Sequence, residues 1–500
     1  MKRLAFVAGC SAVTGGVALH LPMLVMAWRM GGPIMGMPMD GGMIAGMGLI
    51  VAGFAAAAYG LLPPAAATRP GLAVAAPEDA PLSAAHWLLM GVLTLALVID
   101  IMKPASLGFT IPGMAAEYHA TRATVSLVPF FALIGTVTGS IVWGIVADLY
   151  GRKATILLSA VMFVGTSICG AMPSLAWNIA MCFMMGAAAG GMLPVTYALL
   201  AEMMPNRHRG WSLVLVGGVG AAGGYFAASG LSAWAQPVFG WRILWLANLP
   251  TGLALVGLGA LIPESARFLI AHNRLAEAEA VMRRFGGSIR AAAPPRRASA
   301  AAAGRSAWTI AALSAAALTW GLVNFGLLLW LPADLVDKGY PIAVASALLA
   351  QSALIALPTV VVAALLYSRW SSKGALAVAL GVTLLGLAGV FQLERAGAGS
   401  PVGPVALLIV GTNALIAILL PFAAESFALA VRARATGWVA ACTKAGGVAA
   451  QLVGILGVVL PVAATAALLA IPAAAALGLT LAFGGETRGR DLRDLDRAVI

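Results

Sequence analysis

Fourteen separate runs of predominantly apolar residues recur along this chain of 500 residues, and each is about as long as the roughly 20 residues that a helix needs to cross a bilayer. No ten-residue alternating pattern typical of a transmembrane barrel is present, and only helices and closed barrels satisfy their backbone hydrogen bonds in lipid. The sequence therefore predicts an all-α polytopic membrane protein. The runs cover residues 4–27, 42–62, 85–111, 124–147, 154–172, 177–201, 211–232, 241–262, 307–331, 342–366, 374–391, 402–424, 436–457 and 460–483.

The composition excludes the main soluble classes. The chain is 61% hydrophobic and 10% charged, whereas soluble domains are roughly 45–50% apolar and about 25% charged. Its net charge of +12 does not indicate nucleic-acid binding, because the basic residues fall in short loops between apolar runs. The four cysteines lie singly in apolar stretches, so they predict neither a disulfide framework nor a metal site.

The distribution of lysine and arginine predicts the orientation. When loops are taken alternately from an internal Lys2 and Arg3, few of the 30 basic residues fall outside. By the positive-inside rule, both termini are expected in the cytoplasm of a bacterial-type inner membrane. The five basic residues expected in external loops are Arg29, Arg122, Arg242, Lys338 and Arg395.

Six segments follow from these spans. They are an N-terminal transmembrane hairpin (1–62), a cytoplasmic linker (63–84), a six-helix bundle (85–262), a basic cytoplasmic linker (263–306), a second six-helix bundle (307–483) and a cytoplasmic tail (484–500). Within the basic linker, NRLAEAEAVMRRFGG combines helix-forming residues with closing glycines and predicts a short surface helix.

Five short motifs follow one another in order from residue 144 to residue 492. They read GIVADLYGRK (144–153), AEMMPNRHRG (201–210), PESARFL (263–269), AESFALAVRARATG (424–437) and ETRGRDL (486–492). Together they resemble the major facilitator superfamily, in its sugar-porter and organic-acid (metabolite):proton symporter branches. The resemblance implies a major facilitator fold of two six-helix bundles that transports by alternating access, here with two additional N-terminal transmembrane helices.

The resemblance also implies gating residues. Asp148, Arg152, Glu202 and Arg209 in the first half, and Arg369, Glu425 and Arg434 in the second, match the charge clusters that hold the family's inner helix ends together. The match is incomplete, because Leu149 replaces the usual basic residue and the second signature loop is reduced to YSRWSSKG. The alternative is ordinary anchoring by surface pairs worth about 0–1 kcal/mol each.

Ionisable residues inside spans are costly, at about 2.5–3.5 kcal/mol each, and are therefore candidate functional groups. Asp100 and Lys103 lie three residues apart, on one helical face, and Lys444 lies in a later span. We expect Asp100 to carry the coupling proton; the alternative is a permanent structural pair with Lys103. The three groups sum to +1, which favours an anionic substrate, and Lys444 is the candidate for binding a carboxylate.

Neutral polar and aromatic residues complete the candidate site. Asn324, Gln351, Asn413 and Gln451 lie within spans, where such amides either contact substrate or bond across helices. The segment WGLVNFGLLLWLP lacks the paired glutamines that sugar porters carry there, which favours an organic acid. The aromatic residues Trp320, Phe325 and Trp330 either stack on a ligand or anchor span ends.

Methionine is concentrated in the first 47 residues, and Met35, Met37 and Met39 alternate in one external loop. Thioethers are soft ligands that suit Cu(I), so copper or another soft metal is an alternative cargo; the other reading is flexible packing. No catalytic motif favours a membrane enzyme. The sequence thus predicts a monomeric, proton-coupled symporter of a small organic anion without a cofactor, with soft-metal, sugar or drug transport as alternatives.

Overall fold

The computed structural model describes residues 2–30, 32–62, 72–75, 81–291, 303–397, 399–427 and 429–488. Most of the predicted 63–84 linker, residues 292–302 of the basic linker and residues 489–500 of the tail lie outside this part of the chain. The chain divides into two compact units, the first made of residues 1–206 and 230–292, the second of residues 207–229 and 293–500.

The first unit holds the N-terminal hairpin and the first bundle. Its elements are α1 (Lys2–Ala18), α2 (Leu21–Met30), α3 (Gly41–Leu61), β1 (Leu72–Ala75), α4 (Ala84–Glu117), α5 (Arg122–Val125), α6 (Leu127–Tyr150), α7 (Arg152–Gly165), a 3₁₀ segment (Thr166–Ala171), α8 (Leu175–Ala189), α9 (Met192–Met203), α10 (Asn206–Phe239), α11 (Ile243–Leu246), α12 (Asn248–Leu258), α13 (Ala266–Ala271), α14 (Leu275–Arg284) and β2 (Ser288–Ala291). Helix α10 crosses the unit boundary and contributes residues 207–229 to the second unit.

The second unit holds the remaining spans. Its helices are α15 (Ala303–Val323), α16 (Leu331–Asp337), α17 (Ile342–Leu365), α18 (Ser372–Ala396), α19 (Val402–Ser426), α20 (Leu429–Ile455) and α21 (Val462–Phe483). Two π-helical segments, Asn324–Leu328 and Leu366–Trp370, continue α15 and α17.

Within the described residues, thirteen helical stretches are long and apolar enough to span a membrane. The predicted span at 241–262 appears instead as a shorter apolar pair, α11 and α12. The prediction of an all-α membrane fold is confirmed, with one addition: β1 pairs antiparallel with β2, from Leu72 opposite Ala291 to Ala75 opposite Ser288. The predicted surface helix is present as α14, which is followed by Gly286 at φ 71°.

Small residues allow the hairpin helices α1 and α3 to pack backbone against backbone. A Cβ added to Gly9 would lie 2.5 Å from the backbone nitrogen of Ala57, and one added to Gly16 would lie 2.5 Å from the carbonyl oxygen of Gly46. The hairpin also packs on the first bundle, where Val13 and Ala57 share a buried apolar cluster with Trp143 and neighbouring residues of α7. Close approach of this kind is how helices associate in lipid.

Helix α6 packs against α8 in the same way, and this contact generates a stability prediction. A side chain at Gly139 would overlap the Ala187 backbone, including its carbonyl oxygen, whereas one at Gly144 of the same helix meets nothing within 4 Å. Gly139→Val should therefore lower the melting temperature of the purified protein markedly, since overpacking costs about 1–3 kcal/mol or more. Gly144→Val is the matched control; equal melting temperatures for the two variants would contradict this packing.

Candidate functional site

Lys103 is a fully buried cation on α4, and its neighbour Asp100 is buried beside it. The ammonium donates a 2.8 Å hydrogen bond to the Phe163 carbonyl and another to the Thr166 hydroxyl. It also lies 4.2 Å from the centre of the Phe163 ring. These acceptors stand where α7 ends, and the carbonyl groups at a helix C-terminus favour a cation. Neutral groups therefore solvate much of the Lys103 charge.

Lys444, on α20, lies beside two aromatic rings of the second unit. Its ammonium is 5.8 Å from the ring centre of Trp320 and 5.8 Å from that of Phe325. The two rings meet edge to face at 5.8 Å. The Trp320 indole is oriented by a 3.0 Å hydrogen bond from its N–H to the Thr412 carbonyl on α19. A cation within about 6 Å of a ring face is attracted to it.

Local backbone features bring this group together. The π-helical turn that begins at Asn324 is closed by a hydrogen bond of 3.0 Å from the Leu329 N–H to the Asn324 carbonyl. Gly321 of α15 lies against the backbone of Thr443 and Gly446, so α15 and α20 are in close contact at Lys444. π-turns of this kind occur frequently at functional sites.

Two amide groups beside this cluster retain unused hydrogen-bonding capacity. Gln451 donates a 2.6 Å hydrogen bond to the Phe325 carbonyl, but its buried Oε1 accepts none. The buried Nδ2 of Asn413, on α19, likewise has no acceptor. Asn324 is half-buried and Gln351 is exposed. The site thus offers one cation, two aromatic rings, an acceptor and a donor.

The first signature loop forms a charge network in the first unit. The Arg152 guanidinium lies 3.2 Å from the Asp148 carboxylate and 3.6 Å from that of Glu202. It also donates a 2.7 Å hydrogen bond to the Ala147 carbonyl at the end of α6. Gly151, at φ 101°, provides the reversal between α6 and α7 that places Arg152 there. The structure therefore brings together three of the predicted gating residues.

Glu264 is a member of this network that the sequence analysis did not single out. Its carboxylate accepts backbone hydrogen bonds from Arg152 (2.8 Å), Lys153 (3.3 Å) and Ser265 (2.8 Å), and so caps the start of α7. Burial raises the pKa of Glu264, and these hydrogen bonds offset that effect only in part. The hydroxyl of Ser265 donates to Glu202, so the motif PESARFL connects the linker to α7 and α9.

The second unit repeats this arrangement with different residues. Glu486 accepts backbone hydrogen bonds from Ser372 and Arg488, each 2.9 Å, and the hydroxyls of Ser371 and Ser372. Burial acts to raise its pKa, but these hydrogen bonds outweigh burial and lower the pKa of Glu486 to about 2. The Thr487 hydroxyl donates to Glu425 at 2.9 Å, as Ser265 donates to Glu202.

Glu425 has a phenol partner where Glu202 has a guanidinium. The Tyr367 hydroxyl donates to Glu425 at 2.5 Å. The remaining predicted gating residues are less enclosed: Arg209 is half-buried, and Arg369 and Arg434 are exposed. The sequence does carry a signal for Glu264 and Glu486, the two capping carboxylates that were not predicted. A Glu-Ser dipeptide follows the first bundle at 264–265, and a Glu-Thr dipeptide follows the second at 486–487.

The methionine loop of the hairpin is divided between surface and core. Met35 is 42% exposed, whereas Met37 and Met39 pack against the apolar cluster that contains Met23 and Met43. Within the part of the chain that the structure describes, no group of three or more histidine, cysteine, aspartate or glutamate side chains is placed to hold a metal.

A cavity of about 470 Å³ lies in the first unit between α2 and the segment Phe239–Leu246. Its walls are mainly apolar, and its charged groups are Glu117 and Arg242, which form a 2.7 Å ion pair. Arg242 also donates to the Gly170 carbonyl at 2.8 Å. Arg242 lies in the turn before α11, as expected for a loop residue, and the ion pair accounts for its burial.

The described residues contain thirteen helices long and apolar enough to span a membrane, and each of the two units has a carboxylate-capped helix after its signature loop. This combination is typical of a polytopic membrane transporter. The model of the Major Facilitator Superfamily matches residues 88–451. The chain therefore belongs to this family, as its motifs predicted.

Proteins similar to this chain include a transporter of niacin and transporters of 4-hydroxybenzoate and gallate. The niacin transporter NiaP of Acinetobacter baylyi is 25% identical over 393 residues, which is 75% of this chain and 88% of the relative. The 4-hydroxybenzoate transporter PcaK of Pseudomonas putida is 34% identical over 202 residues, 39% of this chain and 44% of the relative. A gallate transporter of the same species is 30% identical over 221 residues, 43% of this chain and 48% of the relative. The chain thus aligns with under half of the length of the last two.

Solved structures support the fold. The proton:xylose symporter XylE, bound to 6-bromo-6-deoxy-D-glucose, superimposes with a TM-score of 0.66, covering 83% of this chain and 99% of that chain at 15% identity. A partially occluded inward-open conformation of the xylose transporter XylE from E. coli gives a TM-score of 0.66 over 82% of this chain and 100% of that chain, at 16% identity. At these identities the likeness concerns the fold alone.

Proposed function

We propose that this transporter carries small aromatic monocarboxylates by proton-coupled symport with alternating access. The observation that supports it is the cluster of Lys444, Trp320 and Phe325, in which an ammonium lies 5.8 Å from each ring centre. A carboxylate would pair with the ammonium while its ring packs against the indole or the phenyl. The substrate is then an organic anion, as the sequence predicts, that also carries an aromatic ring.

The relatives agree with this chemistry. They are described as transporters of niacin, 4-hydroxybenzoate and gallate, each of which is a carboxylate on a six-membered aromatic ring. Ring substituents on such substrates need hydrogen-bonding partners. The unused Oε1 of Gln451 and Nδ2 of Asn413 are suited to a ring hydroxyl, which both donates and accepts. Asn324 in the π-turn is a further candidate contact.

Lys444→Gln tests the carboxylate contact. We expect the affinity for benzoate and nicotinate to fall at least about tenfold, because hydrogen bonds to charged groups contribute about 1.5–3 kcal/mol and 1.4 kcal/mol is about tenfold. The measurement is binding by thermal shift of purified protein, with uptake into proteoliposomes. Benzamide and nicotinamide, the uncharged counterparts, should bind the wild type weakly and be unaffected by the substitution.

The matched control is Lys338→Gln, which removes an exposed lysine that pairs with Asp334 and Glu394. It should leave benzoate binding unchanged. Unchanged benzoate affinity in Lys444→Gln would exclude the site. If cyclohexanecarboxylate binds the wild type as tightly as benzoate, the aromatic part of the proposal is wrong, whereas the anionic part stands.

Asp100 is proposed as the proton-coupling group. It is buried on α4, three residues before Lys103, and much of the Lys103 charge is already solvated by Phe163 and Thr166. A buried carboxyl whose cationic neighbour has other partners can gain and lose a proton as its surroundings change.

Asp100→Asn should therefore abolish accumulation of benzoate driven by a pH gradient, yet retain exchange of labelled for unlabelled benzoate. Proteoliposomes with imposed gradients separate the two activities. Asp337→Asn, at an exposed position, is the control. Loss of exchange together with accumulation would identify Asp100 as a structural partner of Lys103, and retention of both would exclude it from coupling.

The network of Arg152 with Asp148 and Glu202 is proposed to gate the conformational cycle, together with the other charged residues of the motifs. Arg152→Ala should slow uptake severalfold while benzoate binding persists, since Arg152 is remote in sequence from the binding residues. Arg274→Ala, which breaks the exposed Arg274–Glu277 pair of the linker helix, is the control. A wild-type uptake rate in Arg152→Ala would contradict gating.

We assign the carrier to the inner membrane, as a monomer with both termini in the cytoplasm. The support is the distribution of lysine and arginine, which are scarce in the loops that alternate with those bearing the signature motifs. Protease or cysteine-labelling accessibility of the segment 263–291 from the two sides of the membrane tests this orientation.

A further inference from the structure

The hairpin contains a buried imidazole that the proposed transport mechanism does not use. His20 lies in the turn between α1 and α2 and is 1% exposed. Its Nδ1 lies 2.8 Å from the Gly16 carbonyl. A carbonyl only accepts hydrogen bonds, so Nδ1 carries the proton, and in the neutral ring Nε2 keeps its lone pair. This Nε2 is buried and has no hydrogen-bond partner.

Glycine allows the ring to lie directly against α3. A Cβ added to Gly46 would lie 2.8 Å from Cε1 of His20, the carbon between the two ring nitrogens, and 3.0 Å from Nδ1. Met43 lies three residues before Gly46, and Met47 one residue after it. Met43 and Met47 are four apart and share a face of α3. The imidazole is therefore next to the part of α3 that bears two thioethers.

Those two side chains belong to a larger group. Met23 and Met43 are buried in one apolar cluster, and Met37, Met39 and Met47 pack against it. We call these five residues the hairpin methionines. Flexible packing explains methionine at any one of these positions. It does not explain why the same hairpin buries a nitrogen lone pair that has no hydrogen-bond partner.

A water molecule would be poorly bound between Nε2 of His20 and the hairpin methionines. A buried water typically makes about three hydrogen bonds to polar groups, whereas the cluster that holds the hairpin methionines contributes apolar side chains such as Val17, Ile34 and Ile168. The nearby carboxylate of Asp40 is already engaged, because it accepts a 2.7 Å hydrogen bond from the Met43 N–H as the N-cap of α3. The available ligands are one imidazole nitrogen and several thioethers.

We propose that Nε2 of His20 and the thioethers of Met23, Met43 and Met47 bind a Cu(I) ion as a resident site of the hairpin. Thioethers select Cu(I) among biological metals, and imidazole suits copper as well. Zinc is bound by thiolates, imidazoles and carboxylates. The proposed ligand set contains only one such group, the His20 imidazole, and is therefore unsuited to zinc. The ion joins the turn after α1 to α3, and the flexible methionine side chains reach it by rotation.

The experiment is an anaerobic Cu(I) titration of the full-length purified protein against a chromophoric Cu(I) chelator. The expected result is one equivalent bound per chain, with X-ray absorption showing sulfur ligands together with one nitrogen. His20→Leu should abolish this binding. Met43→Leu, which nearly conserves volume, should weaken it at least about tenfold. The melting temperature of wild type should rise with Cu(I), because a ligand of the folded state stabilises it.

Exposed methionines provide matched controls. Met26→Leu on α2, where Met26 is 50% exposed, pairs with the buried Met23→Leu on the same helix. Met26→Leu and Met35→Leu should keep wild-type Cu(I) affinity, whereas Met23→Leu should lose it. Melting temperatures measured without metal exclude misfolding as the cause. Binding that survives in His20→Leu, or that is lost in Met35→Leu, would overturn the buried site.

Discussion

A cation within a membrane span must find favourable partners inside the protein, and the buried Lys103 and the half-buried Lys444 meet this requirement differently. Lys103 is held by a backbone carbonyl and a hydroxyl where α7 ends. Lys444 faces two ring systems at 5.8 Å, an interaction worth about 0.5–2 kcal/mol. Lys103 is fully buried, whereas Lys444 is half-buried beside its two rings. Lys444 is therefore the more accessible of the two lysines to an arriving carboxylate.

The demands of the lipid environment explain which features the sequence could predict. Runs of apolar residues revealed nearly every span, because lipid demands a long uninterrupted helix. The pair α11 and α12 is shorter, since together the two helices extend only from Ile243 to Leu258. The sequence also singled out Lys103 and Lys444, since any charge in such a run stands out. It did not connect the lysines with their partners, because Phe163 is an ordinary apolar residue and the contact of the candidate Trp320 with Lys444 depends on tertiary packing.

The capping carboxylates show a second limit of sequence reasoning. Glu264 and Glu486 lie after their bundles, yet each satisfies backbone N–H groups at the start of a helix more than a hundred residues earlier. A local motif does not reveal a partner at that distance along the chain. The repeated Glu-Ser and Glu-Thr dipeptides become informative only when the two units are compared. The pKa values of the Glu264 and Glu486 carboxyl groups shift in opposite directions. Glu264 is the more buried of the two, whereas Glu486 accepts two additional hydrogen bonds from hydroxyl groups.

This comparison also shows where the two units differ. In the first unit the carboxylate of Glu202 lies 3.6 Å from the Arg152 guanidinium, whereas in the second Glu425 accepts from the phenol of Tyr367. An ion pair weakens as salt increases, whereas a hydrogen bond from a neutral phenol responds much less. Ser372 occupies the position after the second loop's turn that Arg152 occupies after the first. The Tyr367 phenol supplies the Glu425 carboxylate with a neutral donor, and this one contact depends less on ionic strength than the ion pair of Arg152 with Glu202.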